Sequence, residues 1–145
     1  MSSADAFSYP SYNQEVWNAH DPDALGKYVA PDARVHSMTP GSLSGEGLDF
    51  LEDRARSLFN AFPDVRVQIE SCIRDGDFLA ARVTLEGTQR AGFAGIPATG
   101  KRMKVYDFAM YRIIDDKITD VWSLIDVQAM RDQLLGSSGV AGHFR

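Results

Sequence analysis

Val65-Arg66-Val67-Gln68-Ile69-Glu70-Ser71-Cys72-Ile73-Arg74, then Asp75-Gly76-Asp77, then Phe78-Leu79-Ala80-Ala81-Arg82-Val83-Thr84-Leu85, is the stretch that decides the class of fold. Val65, Val67, Ile69, Ser71 and Ile73 alternate with Arg66, Gln68, Glu70 and Arg74, the period of a strand with one buried face. Asp75-Gly76-Asp77 carries the chemistry of a tight hairpin turn. Leu79, Ala81, Val83 and Leu85 then set the return strand, which extends to Thr88, in the same period. Downstream, residues 89–100 read as a loop, Lys101 to Ile114 as a long strand, Asp115-Asp116 as a turn, and Lys117 to Asp126 as the strand running back. Val127 to Leu135 closes the pattern as a short amphipathic helix.

Upstream of Val65 the period is helical. Ala6, Tyr9, Tyr12, Val16 and Trp17 recur at helix spacing over residues 5–19, with Pro10 opening or interrupting a turn. Asp21 is placed to cap a second helix with Pro22 at its first position. That helix holds Leu25, Tyr28 and Val29, and Pro31 is expected to end it. Ala33 to Met38 is a short strand and Pro40 to Gly47 a loop. Leu48 to Phe62 repeats Phe50, Leu51, Ala55, Leu58, Phe59 and Phe62 at helix spacing and stops at Pro63-Asp64. Helices grouped apart from a meander of about four strands make an α+β domain. A strongly bent antiparallel sheet wrapped around helices has an interior where a ligand can sit.

Length and charge bound the function. A chain of 145 residues is the commonest size for one domain and buries a core without covalent staples. Residues 1–145 read as a single domain with its core at about 5–136, and residues 1–4 and 137–145 read as loosely held ends. The 15 basic and 20 acidic residues, a formal net charge of -5, argue against a nucleic-acid surface and give no attraction to an anionic membrane. No stretch of about 18 apolar residues exists to span a bilayer. One cysteine, Cys72, excludes an intrachain disulfide and fits a reducing compartment. Residues 1–10 lack the basic start and apolar run of a signal peptide, so the expected address is the cytoplasm. There is no Gly-x-Gly-x-x-Gly, no Walker loop, no His-Glu-x-x-His, no cysteine pair for zinc and no Gly-x-Ser-x-Gly elbow.

Several ordered motifs resemble one family. Asn18-Ala-His20-Asp21-Pro22-Asp23, then Phe62-Pro63-Asp64, then Gly95-Ile-Pro-Ala-Thr-Gly-Lys101 follow in that order. Tyr111-Arg112-Ile113, Lys117-Ile118, Trp122-x-x-x-Asp126 and Met130-x-x-Gln133-Leu134 complete the set. Over about residues 13–136 the chain resembles the SnoaL-like polyketide cyclases of the NTF2-like superfamily. The resemblance implies an NTF2-like cone, often a homodimer through the outer sheet face, with no metal and no organic cofactor. In such cyclases an aspartate does acid/base work in an intramolecular aldol condensation, and Asp126 matches the aspartate of the Trp-x-x-x-Asp motif. Relatives often have Asp-Gly-Lys-Ile at the last turn, where this chain has Asp115-Asp116-Lys117-Ile118.

Three residues are candidates for catalysis. Asp126 shares a strand face with Trp122 and Leu124; a carboxylate desolvated there would be raised toward a useful base, or it caps the helix that begins at Val127. His36, in a short strand bordering the pocket, could polarise a carbonyl or shuttle a proton, or be a satisfied structural histidine. Asp107 interrupts Val105-Tyr106-Asp107-Phe108 in a central strand, where a charge needs a partner or a function. Arg82 on the adjacent strand is the expected partner, and an Asp107–Arg82 pair open to water would favour a hydrolase or dehydratase. His20 reads as structural, near a helix cap.

The expected substrate is a small apolar molecule bearing a carbonyl, lined by Tyr12, Trp17, Phe50, Phe59, Arg82 and Trp122, with Tyr12 as an oxyanion donor. Met38, Met103 and Met110 fit an adaptable apolar wall or plain core. Loop 89–100, long and glycine-bearing with Phe93 and Ile96, is a natural lid. The rival expectation is a binding module of the same fold that does no chemistry.

Overall fold

The computed structural model describes residues 6–38 and 43–136. Both expected loose ends, residues 1–4 and 137–145, lie outside the described residues, as do residues 39–42 of the loop after the first strand. The chain begins with helix α1 (Tyr9–Tyr12), which runs directly into a π-helical segment, Asn13–Asn18. A 3₁₀ segment follows at Pro22–Lys27, then strands β1 (Val29–Ser37) and β2 (Gly45–Glu46). Helix α2 (Leu48–Ala61) precedes the meander β3 (Arg66–Asp75), β4 (Phe78–Thr88), β5 (Arg102–Ile114) and β6 (Lys117–Ile125). Helix α3 (Val127–Leu135) ends the described chain. None of these helices is long and apolar enough to cross a membrane.

Pro10 does not break the first helix, because it stands in the opening turn, where its missing N–H has no partner to lose. Asp21 caps the 3₁₀ segment as its spacing predicts, accepting from the Asp23 N–H at 3.1 Å. Pro31 does not act as the stop expected of it. The helical turn already ends at Lys27, and β1 begins at Val29 and runs through Pro31. The pairing of β1 with β6 is irregular between Val29 and Arg34, and a residue without an N–H is accommodated in such a stretch.

The strands form one sheet in the order β2-β1-β6-β5-β4-β3. The meander is antiparallel as expected, whereas β1 runs parallel to β6, so the sheet is mixed. Its concave face holds Val67, Leu79, Val83, Leu85, Val105, Tyr111 and Val121 against Tyr9, Tyr12 and Val16 from the helices, with Leu51, Ala55 and Leu58 from α2.

One irregularity in β3 decides which side chains face this core. Val67 pairs with Leu85 and Ile69 with Val83, but the next pair is Ser71 with Arg82. The extra residue, Glu70, is a bulge, and a one-residue slip moves everything beyond it to the other face. Unbroken alternation would place Ser71 and Ile73 beside Val67; the bulge turns them outward, and Ile73 is 71% exposed.

Two side-chain clamps fix the helices and the loop to this sheet. Asn18 bonds both backbone groups of Val67, donating to its carbonyl at 3.0 Å and accepting from its N–H at 2.7 Å. His20 Nε2 lies 2.7 Å from the Val65 carbonyl. The Asn-x-His motif therefore substitutes for a strand partner at the start of β3. Loop 89–100 is held by Gln89, whose side chain is wholly buried. It donates to the Ile96 carbonyl at 3.0 Å and accepts from the Thr99 N–H at 3.1 Å and its hydroxyl at 2.9 Å. Phe93 and Ile96 also exchange backbone bonds across Ala94 and Gly95, both at positive φ, a compact tip.

Replacing Gln89 by Leu removes all three bonds and leaves buried polar groups unpaired, which costs about 1–3 kcal/mol for each group. The expected result is a Tm lowered by several degrees, with faster hydrogen exchange confined to residues 89–100; an unchanged Tm would show that the loop is held by other contacts.

Candidate active site

The helices and the concave sheet face enclose a cavity of about 270 Å³. The helical side contributes Tyr9, Tyr12, Asn13 and Trp17 from α1 and the π segment, and Leu51, Arg54, Ser57 and Leu58 from α2. The sheet side contributes Val35, Val67, Val83, Leu85, Asp107, Tyr111, Val121, Ser123 and Ile125. Phe93 and Ala94 at the tip of loop 89–100, and Val127, complete the wall. Ser57 and Ala94 are exposed, so the cavity meets solvent between α2 and that loop. The loop thus forms part of the wall, in the position a lid would take.

Among the described residues, Asp107 and Arg54 are the charged members of this wall. Asp107 lies on the inner face of β5, opposite Val83 on one side and Ile125 on the other. Burial among these apolar neighbours pushes its carboxyl above the ordinary aspartate range. The Ser123 hydroxyl, which donates to Oδ1 at 3.0 Å, the Leu124 N–H and the charge of Arg54 pull the other way without cancelling that rise. A carboxyl raised on folding is held protonated more readily in the native state. Its contribution to stability is therefore complete below the unfolded value of about 4 and is lost as the pH climbs through the folded value.

Three buried tyrosines gather near this carboxyl. The Tyr9 and Tyr111 hydroxyls are 3.2 Å apart, and either can donate. Burial pushes Tyr9 up to about 12, and Tyr12 and Tyr111 are also raised, chiefly by burial. All three remain O–H donors at any physiological pH. The Tyr12 hydroxyl is hydrogen-bonded to Trp17, whose indole N–H can only donate. Asn13, buried, donates from Nδ2 to the Tyr9 carbonyl at 2.9 Å.

The structure separates the residues that the sequence singled out. Asp107, Tyr12 and Trp17 meet in the cavity. Asp126 does not line it. Its carboxylate accepts from the Ala129 N–H at 3.0 Å and caps α3, because the strand face it shares with Trp122 and Leu124 is the outer one. His36 also stands on the outer face. Its Nε2 is 2.9 Å from Asp120 Oδ2, and its ring stacks on Trp122 with centroids 4.9 Å apart. Arg82 does not pair with Asp107. Register puts it opposite Phe108 on the outer face, with its guanidinium over the Tyr106 ring. The hydrolase or dehydratase reading that such a pair would favour loses its basis. Phe50 packs beneath Gly45, where a Cβ would collide with its ring, and Phe59 packs between Trp17 and His20; neither lines the cavity.

Sequence reading missed Tyr9, Asn13, Arg54, Ser57, Tyr111 and Ser123. A signal existed for three of them. Tyr111 has the same strand parity as Asp107, Tyr9 lies one helical turn before Tyr12, and Arg54 interrupts the apolar face of α2 three residues after Leu51. Among the described residues, no three His, Cys, Asp or Glu side chains gather as a metal site.

Comparison with solved structures returns the same architecture. A SnoaL-like polyketide cyclase from Agrobacterium tumefaciens is 28% identical, covering 87% of this chain and 94% of its own, with a TM-score of 0.74. IdmH from Streptomyces antibioticus, a candidate polyketide cyclase, is 27% identical over 90% of this chain and 100% of its own, with a TM-score of 0.71. AclR from Streptomyces galilaeus, a candidate hydroxylase, is 23% identical over 89% of this chain and 80% of its own, with a TM-score of 0.74, a likeness of fold. No curated protein sequence matches the chain. The family model described as SnoaL-like polyketide cyclase matches residues 11–134, and with the curled sheet and its helices this chain belongs to that family.

Proposed function

We propose that the chain is a cyclase- or isomerase-type enzyme acting on a small apolar molecule with a carbonyl group, and that Asp107 is its acid/base. The observation that carries this reading is a carboxyl group raised by burial on the wall of an otherwise largely apolar cavity. The base would take a proton from the carbon beside a carbonyl, leaving an enolate. In a cyclisation the enolate carbon attacks a second carbonyl carbon of the same molecule, a C–C bond forms, and the new alkoxide recovers a proton. In an isomerisation the proton returns to a different carbon. Tyr9 and Tyr111 supply hydroxyl donors that could stabilise the enolate oxygen, and donors fixed in a dry site usually make the largest catalytic contribution. Ser123 and the Leu124 N–H would hold the carboxyl in place. No step of this scheme requires a metal or organic cofactor, in keeping with the family resemblance.

The rival is a non-catalytic pocket, favoured by how much of the wall is apolar. The two readings part on Asp107. In deuterated buffer, the wild-type protein is expected to accelerate exchange of the α-protons of 2-tetralone, followed by NMR. Asp107→Asn should lose about 10²–10⁴-fold, the usual contribution of a positioned general base, with its circular dichroism intact. Asp126→Asn should exchange at close to the wild-type rate. No acceleration by the wild type over buffer would favour the binding module, and full exchange by folded Asp107→Asn would overturn the role of Asp107.

The homodimer is part of this proposal. The outer sheet face exposes Ile73, Phe78, Phe108, Met110 and Leu124, and Phe108 is 57% exposed. Apolar patches of this kind mark association surfaces more often than solvent faces. A cytoplasmic setting is supported by the exposed free thiol of Cys72. Sedimentation of the wild type is expected to give the mass of two chains, and Phe108→Asp with Leu124→Asp that of one. A wild-type monomer would contradict the assignment.

A further inference from the structure

The basic group of the cavity stands on the helical side, where the proposed acid/base scheme makes no use of it. Arg54 lies in the middle of α2, between Leu51 and Leu58, and all three line the cavity. Its guanidinium lies over the Phe50 ring, 5.7 Å from the centroid, and Nη1 donates to the Leu43 carbonyl at 3.4 Å. Ser57, one turn further along the same helix face, lines the cavity where it meets solvent. Asp107 is on the sheet side, and its charge is felt at Arg54. The cavity is thus polarised, with a cation and a hydroxyl at the helix and mouth, a carboxyl on the sheet, and apolar walls between them.

A guanidinium held against apolar surface gives up hydration, a cost that a ligand anion can offset. Burial lowers the pKa of Arg54 and Asp107 raises it, yet an arginine stays charged throughout. An anion placed there meets a planar set of N–H donors on a half-buried side chain, where charge-assisted bonds are stronger than in open water. The chain as a whole carries a net charge of -5, so long-range attraction does not recruit anions, and any preference for them has to arise locally.

We propose that Arg54, with Ser57 beside it, is the specificity determinant of the cavity and selects a ligand that carries a carboxylate at one end of an apolar, carbonyl-bearing body. The carboxylate would sit against α2 at the mouth, which directs the opposite end of the molecule toward Asp107. The assignment rests on the cavity being the ligand site, as in the proposed function.

The test uses 3-(2-naphthoyl)propanoate, a keto acid, and its uncharged methyl ester, measured by calorimetry against the wild type and two variants. The wild type is expected to bind the acid about 10- to 100-fold more tightly than the ester, the range for hydrogen bonds to charged groups. Arg54→Met should abolish that preference, weakening the acid at least about tenfold more than the ester, and Arg54→Lys should recover part of it, since it keeps the charge but not the planar fork. A preference that survives Arg54→Met, an equal loss of acid and ester, or binding of neither compound would overturn the assignment. Failure of the acid/base reading has a different signature. It would appear as undiminished α-proton exchange in Asp107→Asn, whatever the preference for the acid.

Discussion

A half-buried carboxyl group among apolar neighbours on the concave face of a curled sheet is the constraint around which the rest of this molecule is arranged. Asp107 is flanked on its two neighbouring strands by Val83 and Ile125. An aspartate in a central strand among such neighbours opposes folding when it is ionised, and the hydroxyl of Ser123, the N–H of Leu124 and the charge of Arg54 compensate only in part. A purely structural position would be filled by an apolar residue at no such cost. Retaining a costly polar group is the pattern expected where stability is given up for chemistry.

The surrounding structure serves to keep that group partly shielded from water and reachable. Asn18 and His20 bind the backbone of Val67 and Val65, which seats the π-helical segment over the sheet and brings Tyr12, Asn13 and Trp17 over the carboxyl. Gln89 draws loop 89–100 into a compact shape whose tip presents Phe93 and Ala94 to the opening. Helix α2 closes the remaining side and brings Arg54 with it. The motifs that mark the family are mostly parts of this frame. The Asn-x-His-Asp-Pro stretch docks and caps the helical segments, and the Trp-x-x-x-Asp stretch ends in a helix cap.

The fold was legible in the sequence because hydrophobic period and turn chemistry agreed. Asp75-Gly76-Asp77, Asp115-Asp116 and the alternating runs between them place the strands of the meander within a residue or so. The site was harder to read because both faces of the sheet are apolar. Trp122 and Leu124 look like a buried set, yet Val121, Ser123 and Ile125 are the residues of β6 that face the cavity, and of the two readings that the sequence leaves open for Asp126 the geometry fits the helix cap. A bulge at Glu70 that no local signal announces reverses the faces again in β3. Asp107 was visible for the opposite reason, since a charge amid Val105, Tyr106 and Phe108 breaks the pattern in either orientation.

The measurement that bears most directly on this account is a titration of the Asp107 carboxyl by ¹³C-observed NMR, assigned by its loss in Asp107→Asn. A midpoint clearly above the ordinary aspartate value of about 4, moving further when 2-tetralone is added, is the result the account predicts. A midpoint at the ordinary value that ignores the ligand would show Asp107 to be solvated and idle, and would contradict the assignment of this cavity as a site of acid/base chemistry.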